Sequence, residues 1–204
     1  MPIACPVDLD TVRLRQEVRA MYTRVAAEPD GEFHFHRGPD YAAERLGYDR
    51  AELAALPAFV TAAFAGVGNP HLIGRVPAGA GVLDLGCGAG MDLLLAARRV
   101  GPDGVAIGVD MTDAMLARAA DGARAARLSN VSLRRGDATA LPAEDECVDV
   151  VISNGVLNLV PDKAAALREI HRVLKPNGRL QIADIVLGVE LTEELHRDID
   201  LWTG

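Results

Sequence analysis

From Gly81 onward the chain alternates short apolar runs with longer amphipathic ones, and this alternation limits the possible folds more than any other feature. GVLDLG reads as a buried strand and MDLLLAARRVG as the helix after it. VAIGVD is a second strand, followed by the helix TDAMLARAADGARAARL, which Thr112 is placed to cap. VSLRRGD, CVDVVISN and GRLQIADIVL supply three more strands, with the helix DKAAALREIHRVLK ahead of the last. Short apolar strands separated by helices imply an α/β fold, a doubly wound and mostly parallel sheet covered on both faces.

The part before this is helical and broken. A helix is expected through DLDTVRLRQEVRAMYTRVAAE, a loop at PDGEFHFHRGP, and short helices at DYAAERLGY and DRAELAAL, the second capped by Asp49. GVGNP then marks a turn. The division that follows is an N-terminal helical cap or lid over 1–77 and a ligand-binding core over 78–204. Only five strands are found, and a sheet that stops at the fifth leaves a row of unpaired backbone groups. The expectation is that last strands are missing and that the natural protein continues past Gly204.

Composition excludes several roles. The 29 acidic residues outnumber the 21 basic ones, a formal charge of −8, and no run of Lys or Arg compensates. Phosphate backbones are repelled by such a surface, so nucleic acid is not an expected partner. Three scattered cysteines, Cys5, Cys87 and Cys147, build neither a disulfide framework nor a structural zinc site. No apolar stretch approaches the roughly 18–20 residues that span a bilayer, and MPIACPVDLD lacks a secretory signal's features. A cytoplasmic protein with no membrane partner and no resident metal is expected, a monomer or a homodimer through its open sheet edge.

The most informative stretch is Asp84-Leu85-Gly86-Cys87-Gly88-Ala89-Gly90, directly after the first core strand. Its glycines allow a sharp turn and close approach of a ligand, and ligands of open α/β sheets bind outside the carboxyl ends of the strands. A dinucleotide fingerprint would need a small residue where Met91 stands, and the charge of Asp84 opposes a pyrophosphate. S-adenosylmethionine carries an ammonium and a sulfonium instead of phosphates, and an acid near the turn suits it. Asp110 ends the second strand at the spacing of a carboxylate that accepts from ribose hydroxyls. Asp137, in RRGDAT, ends the third, where it can accept from an adenine amino group.

VLDLGCGAGMDLLLAARRVGPDGVAIGVDMTDAML resembles the class I S-adenosylmethionine methyltransferases, which have a Rossmann-like sheet. VGNP, GVDMT, VVISNGVLNLVPDK and LREIHRVLKPNGRLQIADI are similar, more narrowly, to the arsenite methyltransferase family. The resemblance is strongest over 82–185. It implies an S-adenosylmethionine-dependent methyltransferase acting on a small molecule. Asp84, Gly86, Gly88 and Gly90 would then line the methionine end of the cofactor, with Cys87 as a small residue inside the turn. Asp110 and Met111 would flank ribose and adenine, Asp137 and Ala138 would hold the adenine edge, and Asn154 would lie near the sulfonium.

The departures concern the acceptor. As(III) is thiophilic and selects soft sulfur ligands. Where the resembling family has cysteines, this chain has Val67 and Gly155, and a third would fall just beyond Gly204. The cysteine pair of bacterial relatives is replaced by Phe33-His34-Phe35-His36. Alternative readings are a C-methyltransferase for a quinone or polyketide-like ring, and a non-catalytic cofactor-binding module. His34 and His36, both on one side if extended, are candidate substrate contacts or general bases, with His71 after the NP turn as a histidine that could approach them. Asp184 is a further titratable candidate. The opposing reading has Phe33 and Phe35 packing inward and both histidines on a polar edge. Asn158 and the NLVPDK segment are expected in the substrate wall, though Pro161-Asp162 also reads as a helix start.

Overall fold

The computed structural model describes residues 10–29, 31–186 and 188. Cys5 and the segment TEELHRDIDLW lie outside them. The helices and strands, in order, are α1 (Thr11–Ala27), α2 (Gly38–Leu46), α3 (Arg50–Ala54), α4 (Ala58–Ala62), β1 (Gly81–Leu85), α5 (Met91–Val100), β2 (Val105–Asp110), α6 (Asp113–Ala125), β3 (Val131–Arg135), β4 (Val148–Asn154), α7 (Lys163–Val173) and β5 (Leu174–Ala183). Single 3-10 turns occupy Pro70–Leu72 and Leu157–Leu159.

All five strands are parallel, in the order β3-β2-β1-β4-β5. β1 is central and wholly buried. Its alternate side chains serve two cores: Val82 packs with Ala96 and Val100 of α5, while Leu83 and Leu85 pack with Ala166, Ile170 and Val173 of α7. The chain therefore changes face between β1 and β4, which makes the carboxyl ends of these two strands the switch point where such sheets bind ligands.

Local signals account for most boundaries. Asp10, Asp49 and Asp162 cap α1, α3 and α7 with their carboxylates. Gly47, at φ 76°, ends α2 in the left-handed conformation that favours glycine. Thr112 stands at the start of α6 without capping it, because its hydroxyl serves Asp110 instead.

Two expectations are corrected. Helix α4 had no counterpart in the reading, since five residues after Pro57 are too few to show a helical period. The last helix stops at Val173 instead of running on through Lys175, and β5 begins at once. Its register jumps from Val148↔Leu174 to Val150↔Arg179. Pro176 lacks an amide for the ladder and Asn177 takes a positive φ of 66°, so the residues between loop out.

Among the described residues β3 and β5 are the sheet edges. No helix among them is long and apolar enough to cross a membrane.

Candidate cofactor and acceptor site

One cavity opens at the switch point. Its floor is the loop after β1. Gly86, Gly88 and Gly90 have φ of 68°, 51° and 95°, values that side chains resist. The amides of Gly86 and Cys87 donate to the Val109 carbonyl at 2.8 and 3.0 Å, fastening the loop to the end of β2. A Cβ at Gly86 would meet Val156 Cγ2 at 2.4 Å, whereas one at Gly88 would meet nothing within 4 Å. The first glycine thus permits packing against the loop after β4, and the second leaves open space.

Three carboxylates converge here. Asp84 is 2% exposed, and its Oδ2 has no hydrogen-bond partner. Burial pushes its pKa well up, Asp92 and Asp110 push it further, and the Leu93 amide opposes them. Asp110 accepts from the Thr112 amide at 2.8 Å and from the Gly88 amide at 2.9 Å, yet burial still raises its pKa. An orphaned buried oxygen beside two more acids is unfavourable unless a cation or donor meets it. The ammonium and sulfonium of S-adenosylmethionine fit that need; a pyrophosphate does not.

All ten residues named for the cofactor border this cavity: Asp84, Gly86, Cys87, Gly88 and Gly90, then Asp110 and Met111, Asp137 and Ala138, and Asn154. Three carry details that the sequence did not disclose. The Cys87 thiol is raised well above its usual pKa, by burial first and Asp84 second, which suits a small packed residue and not a nucleophile. Asp137 lies two residues past the end of β3 and not on the strand. Its Oδ1 accepts from Thr139, and its Oδ2 lies 3.4 Å from Arg15 Nε. The Asn154 side chain is committed to protein: Oδ1 accepts from the Val67 and Gly68 amides, and Nδ2 donates to Gly68 O, Asp92 and Tyr48.

The general-base candidates are not brought to this place. His34 and His36 are exposed and outside the cavity lining, while Phe33 and Phe35 pack inward with Tyr22. His34 lies edge-on to Phe35 and His36 stacks on Tyr41. The segment bends at His34 and Phe35, and it turns the two phenyl rings to half-buried positions against Tyr22 while both histidines face outward. His71 does not join them; it is buried with Nε2 at 3.3 Å from Asp92 Oδ1. Asp184 also lies off the lining, beneath the Leu157–Leu159 turn, where it accepts from the Asn158 and Ile185 amides. Within NLVPDK, Leu159, Val160 and Pro161 line the cavity but Asn158 does not, and Asp162 caps α7.

What the sequence reading missed is which side chains of the cap reach the cavity. Helix α1 contributes Arg15, Val18 and Tyr22 to the lining. The Tyr22 phenol is pushed up to about 12 by burial and by the charge of Asp110. Leu14, Val18 and Tyr22 form a stripe at helical spacing that packs on Met111 and Leu159. Only the stripe was available as a signal, and a stripe alone does not say what it covers.

The fold and the site define the class first: an α/β domain with an acid-rich cavity at its switch point, suited to a cationic ligand. The family model described as "Methyltransferase domain" matches residues 78–203, and the chain belongs to that family. The chain is 43% identical over 161 residues to an arsenite methyltransferase of Halobacterium salinarum, across 79% of this chain and 41% of the relative. It is 40% identical over 111 residues to a demethylmenaquinone methyltransferase of Lactobacillus johnsonii, across 54% of this chain and 46% of that one. A crystal structure of an arsenic(III) S-adenosylmethionine methyltransferase from Chlamydomonas reinhardtii matches with a TM-score of 0.66 at 41% identity, over 72% of this chain and 51% of the other. The chain spans about half the length, or less, of these relatives.

Proposed function

We propose that this chain transfers a methyl group from S-adenosylmethionine to a small-molecule acceptor, on an arsenite-methyltransferase-like scaffold whose acceptor site does not bind arsenic. The observation that carries the reading is the unpartnered buried oxygen of Asp84, set in a glycine loop with Asp110 beside it. In this reading Asp84 and the 86–90 loop hold the methionine end, Asp110 and Met111 the ribose, and Asp137 and Ala138 the adenine edge. When bound, the cofactor supplies an electrophilic methyl on a sulfonium. The chain's own task is to hold the acceptor in line and to exclude water, for which α1 and the Leu159–Pro161 wall are placed. His34, His36 and Asp184 have no part in this reading, because none of them reaches the cavity. A small acceptor fits the partly open cavity; a cytoplasmic location is the companion proposal, with a monomer or homodimer as the state.

The acceptor follows from the absence of a thiolate pair at the described site. A Cβ on Gly155 would lie 3.2 Å from Val67 Cγ1, so the two positions that hold cysteines in the resembling family are neighbours, and both are apolar here. Cys87 is the thiol that borders the cavity, and it is held protonated. A ring-carbon acceptor is therefore the second reading, favoured by the similarity to the demethylmenaquinone enzyme. Calorimetric titration with S-adenosylmethionine, of the wild type and of Asp110→Ala, tests the proposal. Binding lost in the variant, with no heat from As(III) added to the loaded wild type, is the expected result. No cofactor binding overturns the function, and tight As(III) binding overturns the acceptor.

A further inference from the structure

A polar cluster lies between the N-terminal helices and the end of β4, and cofactor binding does not account for it. Tyr48 donates to Asp92 Oδ1 at 2.7 Å, and its hydroxyl lies 3.1 Å from both Gly68 O and Asn154 Nδ2. Asn154 Nδ2 also reaches Asp92 Oδ2 at 3.0 Å and Gly68 O at 2.8 Å. Its Oδ1 accepts from the Val67 amide at 2.8 Å and the Gly68 amide at 3.1 Å. Both hydrogen-bonding ends of one asparagine are therefore spent on holding a segment that is remote in sequence. Buried polar networks cost desolvation and return a single defined geometry when each member is satisfied.

The held segment borders the cavity through Gly66, as do Asp92 and Asn154 themselves. It is pressed down hard: a Cβ at Gly66 would fall 2.3 Å from Asn154 Nδ2, and one at Gly68 would fall 2.7 Å from the Ala183 Cβ. Val67 meanwhile touches Gly155, whose neighbour Val156 packs on Gly86 of the cofactor loop. The segment thus sits at the methionine end of the cavity and not at its adenine end.

We infer that Tyr48, Asp92 and Asn154 are positioning residues, which together fasten the 66–68 segment as the wall beside the transferable methyl. The inference rests on the reading of the cavity as an S-adenosylmethionine site. It assigns Asn154 to the wall and not to the cofactor. It also makes wall position and cofactor occupancy one linked event, since Asp92 and Asn154 border the cavity while their partners lie behind it.

The test is amide exchange at Val67 and Gly68, followed by NMR with and without S-adenosylmethionine, beside calorimetry of the same samples. In the wild type both amides are protected and the cofactor slows them further, which a purely structural contact would not show. Tyr48→Phe keeps the ring against Phe64, 5.4 Å away between centroids. We expect it to bind cofactor within about threefold of the wild type, while both amides exchange about tenfold faster and cofactor no longer slows them. Asn154→Ala should accelerate them more, because the acceptor itself is gone. If Asn154→Ala does not fold, Tyr48→Phe decides alone. Unchanged exchange in Tyr48→Phe, or acceleration spread evenly over the sheet, overturns the latch and leaves the cofactor reading standing. A wild type that binds no cofactor overturns both.

Discussion

The two ends of the cavity are built in opposite ways. At the cofactor loop the decisive contacts join residues close along the chain: Asp110 accepts from Thr112, two residues on, and from Gly88, 22 residues back. On the cap side the contacts leap much further. Asn154 reaches Tyr48 across 106 residues and Gly68 across 86. The first end is a short motif placed at a strand terminus. The second exists only once the cap has docked on the sheet. Substitutions on the two sides should therefore fail differently, one losing ligand and the other losing geometry.

The largest expected effect is on the loop side. Asp110→Ala should weaken S-adenosylmethionine by about 100-fold, ~2.7 kcal/mol, as the loss of charge-assisted hydrogen bonds would. Thermal unfolding of the same variant should show a much smaller loss, because relief of the carboxylate's desolvation offsets the two amide hydrogen bonds it accepts. An equal fall in both quantities would erase the distinction between the two ends.

Gly66→Ala and Gly88→Ala sharpen it. The added methyl at Gly66 drives into Asn154, and such overpacking costs about 2 kcal/mol, measurable by urea unfolding. At Gly88 the methyl meets no protein atom, and the positive φ costs about 1 kcal/mol. In the proposed reading the open space there takes the ligand, so Gly88→Ala should lose more cofactor affinity than stability. The reverse order would place the ligand elsewhere.

The pH response should have opposite signs for ligand and for fold. Asp84 and Asp110 have folded pKa values raised above the ordinary 3.8, so the folded state holds their protons more tightly than the unfolded chain does. Without ligand, their contribution to stability falls as pH rises from 3.8 through the raised values. Binding of a cationic cofactor should strengthen across the same interval as the carboxylates ionise. Asp84→Asn should flatten both trends, and parallel slopes in the wild type would argue against a cationic ligand. Asp149 and Glu169 shift the other way through Lys175 and Arg172, so their contributions are lost only as pH falls below 3.8 and 4.5, and they lie near the surface, where solvent screens them.

The smallest effect probes the cap alone. Asp49→Ala removes the oxygen that accepts from the Ala51 and Glu52 amides at 2.7 and 3.0 Å. About 1 kcal/mol should be lost in urea unfolding, with cofactor affinity unchanged. A large loss of affinity would mean that the cap is coupled to the loop more tightly than the latch provides.

Much of the core is legible in the amino-acid sequence. The alternation of strands and helices, the glycine turn and the acids at the ends of β1 and β2 follow from local pattern. Short apolar strands, a turn that needs positive φ and a carboxylate after a strand each leave a trace within a few residues. The place of Asp84 at the cavity was legible for the same reason, since it stands directly before the glycine turn.

Only the tertiary structure decided the rest. His34 and His36 lie outside because Phe33 and Phe35 take the half-buried positions beside Tyr22. Tyr22 became part of the cavity because its stripe found Met111 and Leu159. Asn154 became an anchor because the docked cap offered two amides and a carbonyl within reach. Periodicity and turn chemistry are properties of neighbouring residues, so the sequence alone determined the sheet and its loop. Which side chain a distant segment presents, and to what, depends on packing that no local window contains.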